Sequence, residues 1–475
     1  MTQLAMRKPW NIGDETPFTC PTCAALAASQ PLRATEGAAA CLGCGRQYPV
    51  LGGVPCLVPE PERFRFEQLR HLQDYEIFTT TRQREIALES GLPQLLPLTR
   101  ERLLQLTRAM EVERNLVSDV LAPLVCGLDV EAARLVPGAA APVRDLQVLQ
   151  MYETVFRDWA WGAAESERAL ELVERLARAA SESADAGTSA HASLELGRLA
   201  VLGAGACRLA ADVQRNLGPT ATYALDYNPL PLFVAERVLS GAVVEAYEYP
   251  TGPRGLAHTA VLQRLQSPAP APPGLVLALA DARRPPFAEG SLDSVLTPWF
   301  IDVVATDLPE TIATIGQLLR PGGLWLNQGP LRFSGSASRR YSIEEVHELV
   351  RSGGFELVAE LSEHVPYFDS PHAGSRRIET VYGFAARKVR TVPGRALPAQ
   401  HAPAWALDVT QPIPALPELG ALQERLVFSA GALSLIDGAR SITDLAEALG
   451  GELGVEPQRL IEPLRGLLLT LLLAG

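Results

Sequence analysis

Residues 199–210 read Leu-Ala-Val-Leu-Gly-Ala-Gly-Ala-Cys-Arg-Leu-Ala, and no other stretch restricts the fold as tightly. Leu199 to Leu202 is an apolar run that predicts a buried strand. Gly203 and Gly205 let the backbone reverse sharply and approach a ligand, and a helix starting near Arg208 offers unpaired N–H groups at its first turn. A second strand, Ala221 to Leu225, ends in Asp226, which lies 21 residues beyond Gly205. An acid in that position can accept hydrogen bonds from ribose hydroxyls. The third glycine position holds Cys207, so the turn alone is a weak sign. Strand, turn, helix, strand and acid in succession point to an α/β sheet that binds a nucleoside-containing cofactor.

The chain has 475 residues, 47% of them apolar, too many for one core and enough for roughly two to four domains. Lys and Arg number 42 against 54 Asp and Glu, a formal charge of −12, which disfavours nucleic acid as a partner. The longest apolar run, residues 466–475, falls short of the ~20 residues of a membrane span. The first residues lack a cleavable apolar core, so a cytoplasmic protein with no membrane partner is expected. Oligomeric state stays open.

Cys20-x2-Cys23 and Cys41-x2-Cys44 form two knuckles separated by 17 residues. Two such knuckles can turn four thiolates toward one structural Zn²⁺. Disulfides or a redox pair are the alternative, disfavoured in a reducing compartment. Cys56, Cys126 and Cys207 read as small buried apolar residues. Residues 44–59, Cys-Gly-Arg-Gln-Tyr-Pro-Val-Leu-Gly-Gly-Val-Pro-Cys-Leu-Val-Pro, resemble zinc-ribbon modules typified by the small activator subunit of several methyltransferases. That resemblance implies a structural ribbon packed on a partner domain.

Spacings of three and four between apolar residues, as in Leu103, Leu106 and Met110, predict helices from Glu62 to about Leu135. Helix continues from Val148 to Leu176 and includes Phe156-Arg157-Asp158-Trp159, where a surface salt pair is the plain reading. Small polar residues from Ala179 to Ser193 predict a loop. The expected organisation is a zinc ribbon at 1–60, a helical cap at 61–147, the cofactor-binding domain at 148–390, a Pro-rich linker at 391–420 and a small helical domain at 421–475.

Beyond Asp226, Leu275 to Ala280 predicts a strand closing on Asp281, followed by Pro285-Pro286-Phe287 and a strand opened by Ser291-Leu292-Asp293. A helix (Leu308 to Leu319) and Arg320-Pro-Gly-Gly323 lead into a strand at Leu324 to Asn327. This order resembles class I S-adenosylmethionine-dependent methyltransferases, and implies a doubly wound α/β fold with a seven-stranded sheet. In that family the acid after the third strand, here Asp281, meets the adenine amine. Trp299-Phe300-Ile301-Asp302, Trp325-Leu-Asn327-Gln-Gly329-Pro330-Leu331 and the Arg157-Asp158-Trp159 box resemble blocks of the carnosine N-methyltransferase family. The likeness implies methyl transfer from S-adenosyl-L-methionine to an imidazole nitrogen. Arg157, Gly203, Gly205, Arg208, Asp226, Asp281 and Trp299 are then expected to hold the cofactor.

Methyl transfer is an in-line displacement, so the enzyme must align an unprotonated lone pair with the methyl carbon. Neutral imidazole qualifies at pH 7, and an Asp on its opposite N–H fixes the tautomer and offsets the developing charge. Asp302, at the C-terminal end of a strand, is expected to be that group; its plain alternative is an N-cap for the helix near Asp307. The chain departs from the family pattern at Arg332, Phe333 and Ser334, where a His is expected. It departs again at Arg377 and Glu379, where a Tyr pair is expected. A charged acceptor, such as an amino acid or peptide, or simple solvation of those side chains would each account for this. An RNA methyltransferase and a non-catalytic binding scaffold remain the other readings.

Prolines at 393, 398, 403, 412, 414 and 417 mark the linker. Beyond it, Ser441 and Asp444 predict a capping box opening the first of two helices. Ile436-Asp437-Gly438-x-Arg440-Ser441 resembles the winged-helix-like module of pyrroloquinoline quinone biosynthesis, and implies a grip on a peptide.

Overall fold

The computed structural model describes residues 17–24, 30–35, 37–128, 152–184, 195–304, 306–392, 428–437 and 439–474. Residues 393–420 of the Pro-rich segment, the 185–194 stretch, Gly438 and residues 129–151, on which part of the expected helical cap falls, lie outside them. Two compact units emerge, one holding residues 1–76 and 90–397, the other residues 77–89 and 398–475.

The first unit is built on a single eleven-stranded sheet. Four short strands come from the cysteine-rich segment: β1 (Leu32–Thr35), β2 (Ala38–Cys41), β3 (Gln47–Leu51) and β4 (Val54–Leu57). Seven follow: β5 (Arg198–Leu202), β6 (Ala221–Asp226), β9 (Leu275–Ala280), β10 (Leu292–Pro298), β11 (Leu319–Gly329), β12 (Phe355–Pro366) and β13 (Ile378–Lys388). A separate hairpin pairs β7 (Val244–Glu248) with β8 (Val261–Leu265). The sheet order is β1-β2-β3-β4-β9-β6-β5-β10-β11-β13-β12. The seven strands expected from the sequence are thus contiguous, but the sheet is larger than expected because the ribbon adds four more to its edge.

The join is made by β4, which runs parallel to β9 with Cys56 opposite Leu279 and Leu57 opposite Ala280. Phe18 completes it. Its ring is 1% exposed, stacks on Phe287 at 5.1 Å and meets Tyr223 edge-on at 5.2 Å. Backbone bonds Thr19 N–H to Pro286 O and Ala288 N–H to Pro17 O, at 2.9 and 3.0 Å, fix the register. Burying such a ring removes ~150–250 Å² from water, so ribbon and sheet share one core.

Helices accompany the strands, and residues 77–89 of the first long one belong to the second unit. They are α2 (Pro61–Ser90), α3 (Pro97–Val125), α4 (Tyr152–Phe156), α5 (Ala163–Ala184), α6 (Arg208–Leu217), α7 (Pro229–Leu239), α8 (Leu308–Leu318) and α9 (Ile343–Ser352), after the single turn α1 (Pro21–Ala24). The loop expected from Ala179 begins later: α5 runs to Ala184, since Ala177 and Ala180 are buried and pack the last turns onto the sheet. Asp293 accepts from Arg198 N–H (2.7 Å) and Arg320 Nε (2.6 Å), so the two motifs spaced along the sequence meet at the N-terminal ends of β5, β10 and β11. Cys56 and Cys207 are buried, whereas Cys126 is exposed just past α3 and does not serve as core.

In the second unit α10 (Ile442–Leu453) packs Leu445, Ala446 and Leu449 against Leu460 and Leu464 of α11 (Pro457–Ala474). The capping box forms as expected, with Asp444 N–H donating to Ser441 Oγ at 3.2 Å. Among the described residues no helix is long and apolar enough to cross a membrane.

Candidate functional site

Strands β9, β6, β5, β10 and β11 are neighbours and parallel, so their C-terminal ends line up along one edge. Chain order reverses between β5 and β10, which opens a crevice there. A cavity of about 400 Å³ occupies it, lined among others by Gly203, Gly205, Arg157, Asp158, Pro298, Trp299 and Gln328. Asp281, Asp226, Gly203, Trp299 and Asp302 come one after another along this edge.

Gly203 has φ +72°, and a Cβ there would sit 2.7 Å from Phe300 Cδ2; at Gly205, φ +54°, nothing lies within 4 Å of that position. The first glycine is needed for packing and the second leaves room for a ligand. Asp226 accepts from Gly205 N–H (2.7 Å) on one oxygen and from Asn228 N–H (2.8 Å) on the other. It does not line the cavity, yet it props the turn that does. Burial pushes its carboxyl up to about 6, against the opposing pull of those N–H groups. Asp281 ends the adjacent strand, where Arg283 grips its carboxylate through Nε (2.9 and 3.0 Å) and Nη2 (2.7 Å).

The Arg157-Asp158-Trp159 box is no surface helix. Residues Arg157–Trp161 form one π-turn, closed by a Gly162 N–H to Arg157 O bond of 2.9 Å, a distortion common at functional sites. Asp158 is buried and accepts from Arg157 Nε at 2.8 Å and Arg208 N–H at 3.4 Å. Trp159 Nε1 donates to Ala206 O at 2.9 Å, pinning the π-turn to the glycine loop. Arg208 does not line the cavity. Its guanidinium bonds Asp212 (2.6 Å) and Asp158 O (3.1 Å) and lies over Trp159 at 5.7 Å, so it braces the turn from behind.

The opposite wall is aromatic. Trp299 and Tyr367 stack at 4.0 Å with an interplanar angle of 17°, and Arg157 lies over Phe368 at 5.1 Å. Cys207, Trp299, Leu331 and Phe368 have φ between 51° and 63°, a strained state for residues with side chains. Trp299 and Phe368 both line the cavity. Glu165 holds the Phe368 strain in place by accepting from Phe368 N–H (3.2 Å) and Asp369 N–H (2.8 Å), and burial raises its own carboxyl. Sequence reasoning missed Glu165, Tyr367's stack and Gln328. Glu165, in the first turn of α5, looks in the sequence like an ordinary N-terminal helix acid, and its bond to Phe368 N–H depends on a residue 203 positions away.

Asp302 is buried between the cavity residues Trp299 and Val303 without itself lining the cavity. One oxygen accepts from Arg332 N–H at 2.7 Å, and burial, with Glu379 nearby, raises its carboxyl. It is not the cap of α8: Asp307 is, accepting from Leu308 N–H at 3.0 Å. Glu379 is 1% exposed and bridges Arg332 (2.7 Å) and Arg377 (2.5 Å), while Arg377 lies over Tyr367 at 4.8 Å. Glu379 is thus buried beneath two exposed guanidiniums beside the aromatic wall, and is not a solvated edge residue.

Away from this cavity, Cys20, Cys23, Cys41 and Cys44 bring their sulfurs within 4.8 Å of one another. Cys20 to Cys44 and Cys23 to Cys41 are both 3.7 Å. A tetrahedral shell with bonds of about 2.3 Å requires sulfurs about 3.8 Å apart. Backbone N–H groups of Cys23, Gly43 and Cys44 point at the sulfurs at 3.3 to 3.4 Å, and Tyr48 Oη lies 3.0 Å from Cys20 Sγ. The cluster therefore suits a metal ion.

Residues 272–377 match the carnosine N-methyltransferase family model. Carnosine N-methyltransferases of Rattus norvegicus and Mus musculus are each 36% identical over 73 residues, covering 14% of this chain. The chain spans 18% of the length of these curated relatives. Among solved structures, a Haemonchus contortus phosphoethanolamine N-methyltransferase 2 in complex with S-adenosyl-L-methionine is 15% identical. That similarity covers 51% of this chain and 57% of that one, with a TM-score of 0.31. A Haloferax volcanii complex of the Trm112 methyltransferase activator and a putative methyltransferase is also similar, at 15% identity, 50% and 98% coverage and a TM-score of 0.28.

Proposed function

We propose that the chain is an S-adenosyl-L-methionine-dependent N-methyltransferase whose acceptor is an imidazole-like nitrogen in a small molecule or peptide. The observation that carries this reading is the crevice where chain order reverses, lined by the glycine turn on one side and by Trp299 on the other. The segment matching the carnosine N-methyltransferase family, residues 272–377, supplies Asp281, Trp299, Asp302 and Gln328 to that edge.

The donor set fits the cofactor. Gly205 leaves open space above the turn, and each Asp226 oxygen spends one interaction on a backbone N–H and keeps capacity for a ribose hydroxyl. When bound, the cofactor supplies an activated methyl group on a sulfonium. Asp281 marks the adenine end, and Arg157, steered by Asp158, offers its guanidinium at the other end. Trp299, Tyr367 and Phe368 exclude water from the reacting nitrogen, which strengthens every polar contact there. Asp302 would accept the N–H opposite the reacting nitrogen, keeping the imidazole in its nucleophilic tautomer and offsetting the charge it gains. The four cysteines would hold a structural Zn²⁺ with no open position for chemistry.

The test is incubation with S-adenosyl-L-methionine and a panel of imidazole metabolites and histidine peptides, read by a mass gain of one methylene. Asp302→Asn should keep the affinity for S-adenosylhomocysteine measured by calorimetry and cut turnover by about 10²-fold or more. Unchanged turnover removes Asp302 from the mechanism, and no detectable cofactor binding removes the reading altogether.

A further inference from the structure

Gln328 is an anomaly in the cavity wall. It is 1% exposed, and both Oε1 and Nε2 of its amide are buried with no hydrogen-bond partner. Because both ends lack a partner, the choice of amide orientation is immaterial. Native chains rarely leave such groups unmet without a reason connected to what binds there.

Strand register says which face of the sheet Gln328 takes. Gln328 pairs with Gly383 across β11 and β13, and directly opposed residues of an antiparallel pair share a face. A Cβ on Gly383 would lie 3.0 Å from Leu176 Cδ1, so that face is the one covered by α5. Val381, two residues away on the same face, lines the cavity together with Glu165, Arg168 and Leu172 of α5, and with Gln328 itself. Along the edge, Gln328 stands beyond β10 from the glycine turn, on the side opposite Asp226 and Asp281. Its backbone oxygen accepts from Trp299 N–H at 2.7 Å, which ties it to the aromatic wall.

From this we infer that Gln328 is a specificity-determining residue that reads an amide group of the methyl acceptor, donating through Nε2 to the acceptor's carbonyl and accepting its N–H at Oε1. The inference rests on the methyl-transfer reading above for the identity of the second ligand. A side-by-side donor and acceptor is met by one group of complementary pattern, and an amide is the simplest. Arg157 and Arg168 also line the cavity, but Arg157 is assigned above to the cofactor and Arg168 is engaged by Glu171 and Glu363. A site with a buried amide discriminates strongly against an analogue lacking the matching group, because the mismatch leaves polar atoms unpaired.

The experiment compares wild type with Gln328→Met, matched in volume, and Gln328→Leu. Two acceptor probes are used, carnosine, which carries an amide, and histamine, which does not. Wild type should favour carnosine, and both variants should lower the carnosine-to-histamine ratio of kcat/KM by about 10²-fold. Thermal unfolding of the free chain should be unchanged or raised, because no bond within the protein is lost. Three results would each overturn the assignment: a lowered unfolding temperature in both variants, an equal loss on both probes, or weakened binding of S-adenosylhomocysteine. A wild type that methylates neither probe sinks the imidazole reading instead. The unfolding temperatures then still decide whether the amide is unpaired within the chain.

Discussion

Asp226 allows a test in which the sign and the size both follow from its surroundings. Burial raises its carboxyl to about 6, whereas an aspartate in an unfolded chain titrates near ~3.9. Between these values the folded chain holds a proton that the unfolded chain has released. Stability from this group is therefore complete below about pH 3.9 and is lost as pH rises through about 6. A displacement of that size corresponds to about 3 kcal/mol. Asp226→Asn removes the titration, so urea unfolding of both proteins from about pH 4 to about pH 7 isolates it from every other carboxyl. Wild type minus variant should fall by about 2 kcal/mol across that window, most of the full span. The ribose contact needs the anion, so S-adenosylhomocysteine should bind wild type about tenfold more weakly at pH 5 than at pH 7, with a flat profile in the variant. A level difference in both measurements would refute the assignment of Asp226 as a buried, ionisable cofactor ligand.

Three further outcomes follow from packing and metal chemistry. Phe18→Ala should cost about 3–5 kcal/mol and leave one unfolding transition for ribbon and sheet, followed by tryptophan fluorescence; two separate transitions would show that the shared core does not couple them. Gly203→Ala, forced to φ +72° with Phe300 in the way, should destabilise the chain by about 1–3 kcal/mol and weaken S-adenosylhomocysteine by calorimetry, while Gly205→Ala should weaken the cofactor with little steric cost at the turn. With Zn²⁺ on the four cysteines as proposed, chelation should release the ribbon strands, seen as lost amide protection at β4 in hydrogen exchange; unaltered protection would mean that the sulfurs do not depend on an ion.

Much of the fold could be read from the chain because its signals are local. The run Leu199–Leu202, the glycines, the acid at 226 and the run Leu275–Ala280 sit where they were expected, since each is a strand or turn written in neighbouring residues. What stayed hidden depends on partners distant in sequence. The parallel pairing of β4 on β9 is chosen by two apolar faces more than 200 residues apart. The π-turn at Arg157 exists because Asp158 and Trp159 are pulled toward Arg208 and Ala206, which a helical spacing cannot foretell. Helix α5 outlasts its expected end because Ala180 finds a buried place, overriding its polar neighbours. Gly203, Gly205 and Trp299, singled out by motif position, line the cavity, while Asp226 stands behind the turn it props. Glu165 owes its place to backbone partners some 200 residues away and Gln328 to burial, neither of which sequence spacing encodes.

The seam between β4 and β9 also bears on how the chain would behave without the metal proposed for its four cysteines. Leu275–Ala280 contains no charge, no proline and no glycine, and the ribbon is what stands against its outer flank. Bare flanks of that composition recruit other chains and seed insoluble material. A metal held by the four cysteines, as proposed, would thus act as a safeguard against self-association, so preparations starved of zinc should precipitate before they lose catalytic competence.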